Sequence, residues 1–220
     1  MKFPDKLKCV IFDMDGVIID SEEIHKKAYY ETFRSLGLHV TDEFYKAMTG
    51  SSTINAFQKL VTHFKLDEIP EDLVLDKRKR YVNYFENDST LSLINGVKDL
   101  IHFFYIQNLT LVLASSSAMV NINRVFSRFD LHHYFTAKIS GADLTASKPH
   151  PEIFEKAVIL GNASKENCIV IEDSDNGIKA ANDAGIFVVG YNNPFSTDQT
   201  LKNADLIIED FSQLEKLLYH

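Results

Sequence analysis

The sequence predicts an α/β fold, a doubly wound, three-layer core of Rossmann-like type that carries an inserted all-helical domain. Short apolar runs such as 9–12 lack polar alternation, which is typical of parallel strands buried on both faces. These runs alternate with helical patterns, which indicates right-handed crossovers. A block of helical periodicity then interrupts the alternation after the first strand. We therefore predict a core of residues 1–19 and 90–220, with a helical insertion of residues 20–89.

The insertion is predicted from four helical patterns with no strand among them. Ser21 resembles a capping residue with acids in the turn that follows, and Gly37 ends this first helix. The second pattern precedes Gly50. Apolar residues recur at helical spacing in the third, and a proline starts the fourth. The last two patterns cover residues 54–64 and 70–85.

From Asn95 onward, helices and strands alternate again. The predicted helices cover 97–104, 119–129, 153–160 and 176–184, with a terminal helix after Phe211. The predicted strands cover 109–114, 135–139, 168–171, 186–189 and 206–208. A single sheet built in this way places the carboxyl ends of its strands at one edge, where ligands of such folds bind.

Composition limits the partners that we expect. A formal net charge of -8 argues against a general nucleic-acid binder, because the polyanion would be repelled. Residues 1–8 are polar and no apolar stretch approaches bilayer length, so we expect no signal peptide and no membrane span. Two isolated cysteines fit a reducing cytoplasm. We expect a cytoplasmic monomer.

Charged and hydroxyl side chains lie on four loops that we expect at one edge of the sheet. Three of these loops directly follow a predicted strand, and the fourth precedes the helix 153–160. The side chains are Asp13, Asp15, Ser115, Lys148, Glu172 and Asp173. Carboxylates gathered at short range repel one another unless a cation neutralises them. Oxygen ligands without histidine or cysteine favour Mg²⁺, and a lysine with a serine hydroxyl suits a phosphoryl group.

Four segments resemble, in order, the four motifs of the haloacid dehalogenase-like phosphatase superfamily. They are Asp13–Val17, Leu113–Ser116, Ser147–Pro149 and Glu172–Ser174. The helical insertion after the first motif is similar to the helical cap domain of that superfamily. The chain most resembles its β-phosphoglucomutase-like branch, and the resemblance covers essentially all 220 residues.

The resemblance implies a role for each motif residue. Asp13 would be the nucleophile that forms an aspartyl-phosphate, and Asp15 the general acid and base. Ser115 and Lys148 would hold the phosphoryl oxygens. Mg²⁺ would be bound by the Asp13 carboxylate, the Asp15 carbonyl and Asp173, with Glu172 in or next to its ligand set. The substrate, a small phosphorylated metabolite, would contact Met14, Gly16, Ser116, His25 and Lys79.

Plainer interpretations stand beside these. Residues 115–117 alone would suit a helix cap, the basic run 77–80 a solvated helix face, and His25 a packing position. Lys79 is the member of that run expected to reach the site, since the branch has a cap lysine near it.

Two departures from the branch favour hydrolysis over mutation. Sugar-phosphate mutases of the branch have an arginine in the cap loop, where this chain reads Gly50 to Thr53. They have a lysine after the second motif, where this chain has Ala118. Both missing groups would bind a second phosphate. We therefore predict a phosphatase. The alternatives are a β-phosphoglucomutase, a non-catalytic module that binds a phospho-ligand and, disfavoured by the long insertion, a phospho-accepting receiver domain.

Overall fold

A six-stranded parallel sheet forms the centre of the protein. The computed structural model describes residues 1–48, 52–194 and 199–218. The strands are β1 (Cys9–Phe12), β2 (Thr110–Ser115), β3 (Ala137–Ser140), β4 (Cys168–Glu172), β5 (Phe187–Tyr191) and β6 (Leu206–Ile208). Their order is β3-β2-β1-β4-β5-β6, and each neighbouring pair is parallel. The predicted doubly wound sheet is therefore confirmed.

Helices cover both faces of the sheet and form a separate block after β1. The block holds α1 (Glu22–Ser35), α2 (Asp42–Lys46), α3 (Thr53–Phe64) and α4 (Pro70–Asn87). The remaining helices are α5 (Val97–Ile106), α6 (Met119–Arg128), α7 (Glu152–Leu160), α8 (Asp175–Ala184) and α9 (Ser212–Leu218). Within the described residues, no helix is long and apolar enough to cross a membrane.

Strand β1 shows why the sheet is buried on both faces. Val10 and Phe12 belong to the apolar cluster that includes residues of α5, α6 and α9, whereas Cys9 and Ile11 belong to the cluster that includes residues of α7 and α8. Successive side chains of a strand point to opposite faces, so both sets are apolar and the sequence shows no alternation. The result is the predicted three-layer core.

The helical block, which we call the insertion (α1–α4), has an apolar cluster of its own. Phe33, Phe57, Leu60 and Leu73 are buried in it, and they come from three different helices. Its α1 and α4 pack against each other. The predicted boundary of the insertion at residues 20–89 stays a prediction, although the observed helices fall inside it.

The strand order places a crevice at the carboxyl end of β1. From β1 the chain moves outward to β2 and β3 on one side, then returns to the opposite side of β1 as β4. Connections on the two sides therefore diverge between β1 and β4, and such a switch point is where ligands bind in open α/β sheets. Phe12 pairs with Ile171, so the residues that follow them emerge side by side.

Ser21 differs from its prediction as a helix cap. It precedes α1, but its side chain makes no capping bond, because its hydroxyl donates to Asp15 instead. Residues 49–51 lie outside the described residues. They include Gly50, which was predicted to follow the second helix and to begin the loop that reads Gly50 to Thr53.

Glycine at position 161 allows α7 to approach β1 closely. A Cβ atom placed on Gly161 would lie 2.5 Å from Cys9 Sγ and 3.2 Å from the carbonyl oxygen of Ala157. We expect Gly161→Ala to lower the free energy of unfolding by about 1–3 kcal/mol, because the added methyl group overpacks this contact. Urea denaturation checks this. The loss should shrink in a Cys9→Ala background, and an equal loss in both backgrounds would contradict the contact as its cause.

Candidate active site

Lys148 lies at the centre of the site, and its ammonium group is surrounded by oxygen atoms. Its Nζ donates to Asp13 Oδ1 at 2.6 Å, to Glu172 Oε1 at 2.7 Å and to the carbonyl oxygen of Ala114 at 2.9 Å. The side chain is 2% exposed, and its Nζ also lies 4.9 Å from the centre of the Phe154 ring. Lys148 thereby connects the loop before α7 to the carboxyl ends of β1, β2 and β4.

Burial and charge act on these groups in opposite directions. Burial raises the pKa of Asp13 to about 7 although the charge of Lys148 lowers it, and the nearby charges of Glu172 and Asp15 raise it further. Burial alone would lower the pKa of Lys148, but the charges and hydrogen bonds of Asp13 and Glu172 raise it above its usual value. The lysine is therefore held in its charged form between two carboxylates.

A buried acidic cluster surrounds this lysine. Asp13, Glu172 and Asp173 can each offer a carboxylate oxygen such that the oxygens lie within 4.8 Å of one another. Two glycines make room for them. A Cβ atom on Gly16 would fall on the Asp173 carboxylate, and one on Gly177 would fall on the carboxylate of Glu172. The oxygens and the space fit a hard divalent cation, since one lysine cannot neutralise three carboxylates.

Both carboxylate oxygens of Glu172 accept hydrogen bonds. Its Oε2 accepts from the N–H groups of Asp173 and Ser174 and from the Ser174 hydroxyl, at 3.0–3.1 Å. Its Oε1 accepts from Lys148. Glu172 therefore fixes both the lysine and the start of α8, next to Asp13 and Asp173.

Asp15 is surrounded by hydrogen-bond donors. Ser21 and Ser117 donate their hydroxyl groups to its two oxygens, the latter at 2.7 Å, and Nε2 of His25 lies 3.2 Å from Oδ1. Burial would raise the pKa of Asp15, but the charge of His25 and these hydrogen bonds lower it. The two aspartates of the first motif thus have opposite pKa shifts, which is the usual sign of separate chemical roles.

A buried lysine extends the contacts of Asp15 into the insertion. Nζ of Lys77 lies 2.7 Å from Nδ1 of His25, and the imidazole ring stacks on Tyr81 at 4.4 Å. Burial lowers the pKa of Lys77 to about 7, although the charge of Asp15 opposes that shift. When the ammonium group donates to Nδ1, the proton on Nε2 points at Asp15. Asp15, His25 and Lys77 therefore form one hydrogen-bonded chain.

Lys77 takes the place that the sequence analysis gave to Lys79. Lys79 is exposed on α4, whereas Lys77 is 2% exposed. The correction has a simple geometric reason: Leu73, Lys77 and Tyr81 are four residues apart and share the buried face of the helix. That periodicity, applied to the basic run, would have selected Lys77.

The remaining predicted residues lie on the turns around Asp13. Ser115 is buried at the end of β2, and its hydroxyl oxygen accepts from the N–H of Ser117 at 3.0 Å. The hydroxyl oxygen of Ser116 is buried and has no partner within the described residues. Met14 is buried in the apolar core, so its backbone is the part that can face a ligand. Gly16 turns with φ of +86° and accepts at its carbonyl from Asn193 Nδ2 at 3.0 Å.

Ser21 and Ser117 were not predicted to lie next to Asp15. Ser21 was interpreted as a helix cap and Ser117 as part of a capping cluster, yet the N-cap of α6 is Ala118 and makes no side-chain bond. No spacing rule separates a serine that caps a helix from one that reaches an acid six or more residues away. Only the fold brings them together.

The fold and the site define a doubly wound α/β protein with a buried acidic centre at the carboxyl edge of its parallel sheet. More specifically, the chain belongs to the haloacid dehalogenase-like hydrolases, whose family model matches residues 10–191. The family resemblance inferred from the motifs is thereby confirmed.

Named relatives are similar over most of the chain. A phosphorylated carbohydrates phosphatase of Thermotoga maritima is 28% identical over 183 residues, 82% of each chain. A β-phosphoglucomutase of Bacillus subtilis is 28% identical over 220 residues, 97% of this chain and 94% of the relative. The crystal structure of a β-phosphoglucomutase from Clostridium difficile superimposes with a TM-score of 0.85 at 26% identity, covering 97% and 96% of the two chains.

We expect Lys148→Met to lower the free energy of unfolding by about 3 kcal/mol, because it leaves two buried carboxylates without their cation. Lys156→Met is the matched control, since Lys156 is half exposed in an i,i+4 pair with Glu152 and should cost under about 1 kcal/mol. Urea denaturation at pH 8 with a chelator compares the two variants. Equal losses would contradict the buried ion pair as a source of stability.

Proposed function

We propose that the protein is a Mg²⁺-dependent phosphatase that hydrolyses a small phosphorylated metabolite, such as a sugar phosphate, through an aspartyl-phosphate intermediate. The observation that carries the proposal is the arrangement around Asp13. Lys148 fixes one of its oxygens, the acidic cluster lies beside it, and Asp15 stands two residues away with its own hydrogen-bonded chain. The names of the relatives, phosphatases and phosphoglucomutases, agree with this chemistry.

In the first step, the Asp13 carboxylate attacks phosphorus and forms an acyl-phosphate bond while the bond to the leaving oxygen breaks. Asp15 gives its proton to that oxygen. In the second step, Asp15 takes a proton from water as the water attacks phosphorus, which releases phosphate and restores Asp13. Ser115 and Lys148 hold the phosphoryl oxygens in both steps, and such catalysis is mainly positioning and charge stabilisation.

Asp13, the carbonyl group of Asp15 and Asp173 would hold the metal ion, with Glu172 next to it. When bound there, Mg²⁺ supplies the positive charge that lets an anionic phosphoryl group approach a carboxylate. Lys148 supplies the remaining charge. It also keeps Asp13 apart from Glu172, since it bonds to both.

Asp15 needs a proton before it can act as an acid, and its surroundings lower its pKa. The second step returns that proton, because Asp15 takes one from the attacking water, so the cycle needs no other source. His25 and Lys77 hold the carboxyl group in place for both transfers, since Nε2 of His25 lies 3.2 Å from Asp15 Oδ1 and Nζ of Lys77 lies 2.7 Å from Nδ1 of His25.

The start of α6 supports hydrolysis over transfer between two phosphate positions. Ala118, Met119 and Val120 follow the serine loop, and Val120 is 51% exposed. Thr53 occupies the first turn of α3 on the insertion side. The side chains at these positions are neutral, so they provide no positive charge to bind a second phosphate group. A mutase needs such a charge, because it must bind its bisphosphate intermediate in two orientations. A β-phosphoglucomutase activity is the alternative, and a non-catalytic phospho-ligand module would have no use for Asp15 as a general acid and base.

Asp13→Asn should abolish phosphate release and keep the fold, because the amide cannot act as the nucleophile. The assay measures phosphate from a panel of sugar phosphates, nucleotides, pyrophosphate and phosphorylated acids, with Mg²⁺ and with a chelator. We expect metal-dependent release from a narrow set. Release that persists in Asp13→Asn would contradict the intermediate, and no release from any substrate would direct attention to the mutase assay.

Lys77→Met should lower kcat about tenfold, because the His25 ring loses the bond that orients it toward Asp15, the general acid and base. Lys79→Met is the matched control, two residues away on the same helix and exposed, and should keep the activity of the wild type. Steady-state kinetics on the best substrate of the panel compares them. A larger loss in Lys79→Met would restore the original assignment.

A further inference from the structure

The insertion reaches the core at the mouth of the crevice through hydrogen bonds from two helices. From α1, His25 contacts Asp15, a residue only ten positions earlier in the chain. From α3, Nδ2 of Asn55 donates to the hydroxyl oxygen of Ser147 at 2.6 Å, and these two residues are 92 positions apart. The first contact joins neighbouring segments, whereas the second crosses between distant ones.

Asn55 is held firmly on its own helix. It lies in the first turn of α3, and its N–H donates to the side chain of the capping residue Ser52 at 3.3 Å. Ser52 itself is buried. A side chain placed on a capped first turn has its backbone fixed, so its amide group can report the position of the whole helix.

Ser147 is held equally firmly on the core. Its carbonyl oxygen accepts from the N–H of His150 at 3.0 Å, and the N–H of Ala146 donates to Glu152 Oε2 at 3.0 Å. The next residue is Lys148, which bonds to Asp13 and Glu172. The hydrogen bond from the insertion therefore ends one residue from the lysine at the centre of the site.

The opposite end of the insertion is joined to the core by a stronger set of bonds. Arg128 of α6 donates from Nη1 to the carbonyl oxygen of Phe85 and from Nη2 to that of Asp88 at 2.6 Å. Its guanidinium group also lies over the Phe85 ring. Charge-assisted bonds of this kind are about twice as strong as neutral ones. The end of α4 is thus held to the core more strongly than the start of α3.

We propose that Asn55 is a positioning residue whose hydrogen bond to Ser147 latches the insertion over the crevice. One neutral hydrogen bond changes an equilibrium by about threefold to tenfold, so the latch favours the closed form and still opens for substrate. Its effect on catalysis rests on the proposed phosphatase activity. Loss of the latch should impair the reaction of substrates whose leaving group contacts the insertion. It should leave the reaction of acetyl phosphate unchanged, because that substrate is too small to need closure.

The test measures opening directly in the full-length, substrate-free protein. Spin labels at Glu68→Cys and Glu166→Cys, both exposed positions, report the distance between insertion and core by pulsed electron paramagnetic resonance. Glu68 precedes α4, a helix of 18 residues whose other end is held by Arg128. A label there lies about 27 Å from the held end, so a small rotation of the helix moves it measurably. The native cysteines are fully buried and stay unlabelled.

We expect Asn55→Ala and Ser147→Ala each to raise the open-to-closed ratio about threefold to tenfold. The double variant should add nothing further, and Ser147→Thr, which keeps the hydroxyl group, should behave as wild type. Asn87→Ala is the matched control, because among the described residues this amide bonds only within its own helix. Unchanged distances in Asn55→Ala, or additive effects in the double variant, would overturn the latch.

Measurements of phosphate release distinguish the latch from the phosphatase activity. With the latch, Asn55→Ala and Ser147→Ala raise KM for the best carbohydrate phosphate and leave kcat on acetyl phosphate unchanged, whereas Ser147→Thr keeps the KM of the wild type. A distance shift without phosphate release from any substrate would keep the latch and reject the phosphatase. Phosphate release without a distance shift would do the reverse.

Discussion

The pairing of Lys148 with Asp13 and Glu172 is the interaction on which the rest of the site depends. A lysine buried this deeply is costly unless carboxylates surround it, and the same carboxylates are costly without a cation. The pairing therefore stabilises the ends of β1 and β4 together with the loop before α7. It leaves the acidic cluster with excess negative charge, which is the electrostatic basis for a divalent metal ion beside it.

Most of the fold could be predicted from the sequence, because local patterns decide it. Apolar runs without alternation predicted the parallel strands, and helical spacing predicted the four helices α1–α4 within a few residues. The carboxylates of the motifs could also be located, since they follow the strands directly and parallel strands end at one edge. Glu172 and Asp173 meet Asp13 for this reason.

The contacts of Asp15 could not be predicted in the same way. Ser21 and Ser117 have sequence surroundings typical of helix caps, and only the tertiary arrangement turns their hydroxyl groups to an acid. Lys77 is a different case, because the spacing of apolar residues on α4 places it on the buried face. The resemblance to a family directed attention to a lysine near that position, and helix geometry shows which one it is.

The contacts at the two ends of the insertion differ in strength, and this difference defines how it can move. At one end, Arg128 binds two carbonyl groups at the end of α4, and at the other a single neutral hydrogen bond joins Asn55 to Ser147. The insertion has an apolar cluster of its own, while Ile24 and Ala28 of α1 and Tyr81 and Phe85 of α4 are buried in the cluster of the core. A rotation therefore keeps the first cluster and pivots about the second. Opening then breaks the weak contact first. A leaving group too large for closure is therefore selected against by the position of the insertion, whereas Lys148 stays aligned by its own bonds to Asp13 and Glu172.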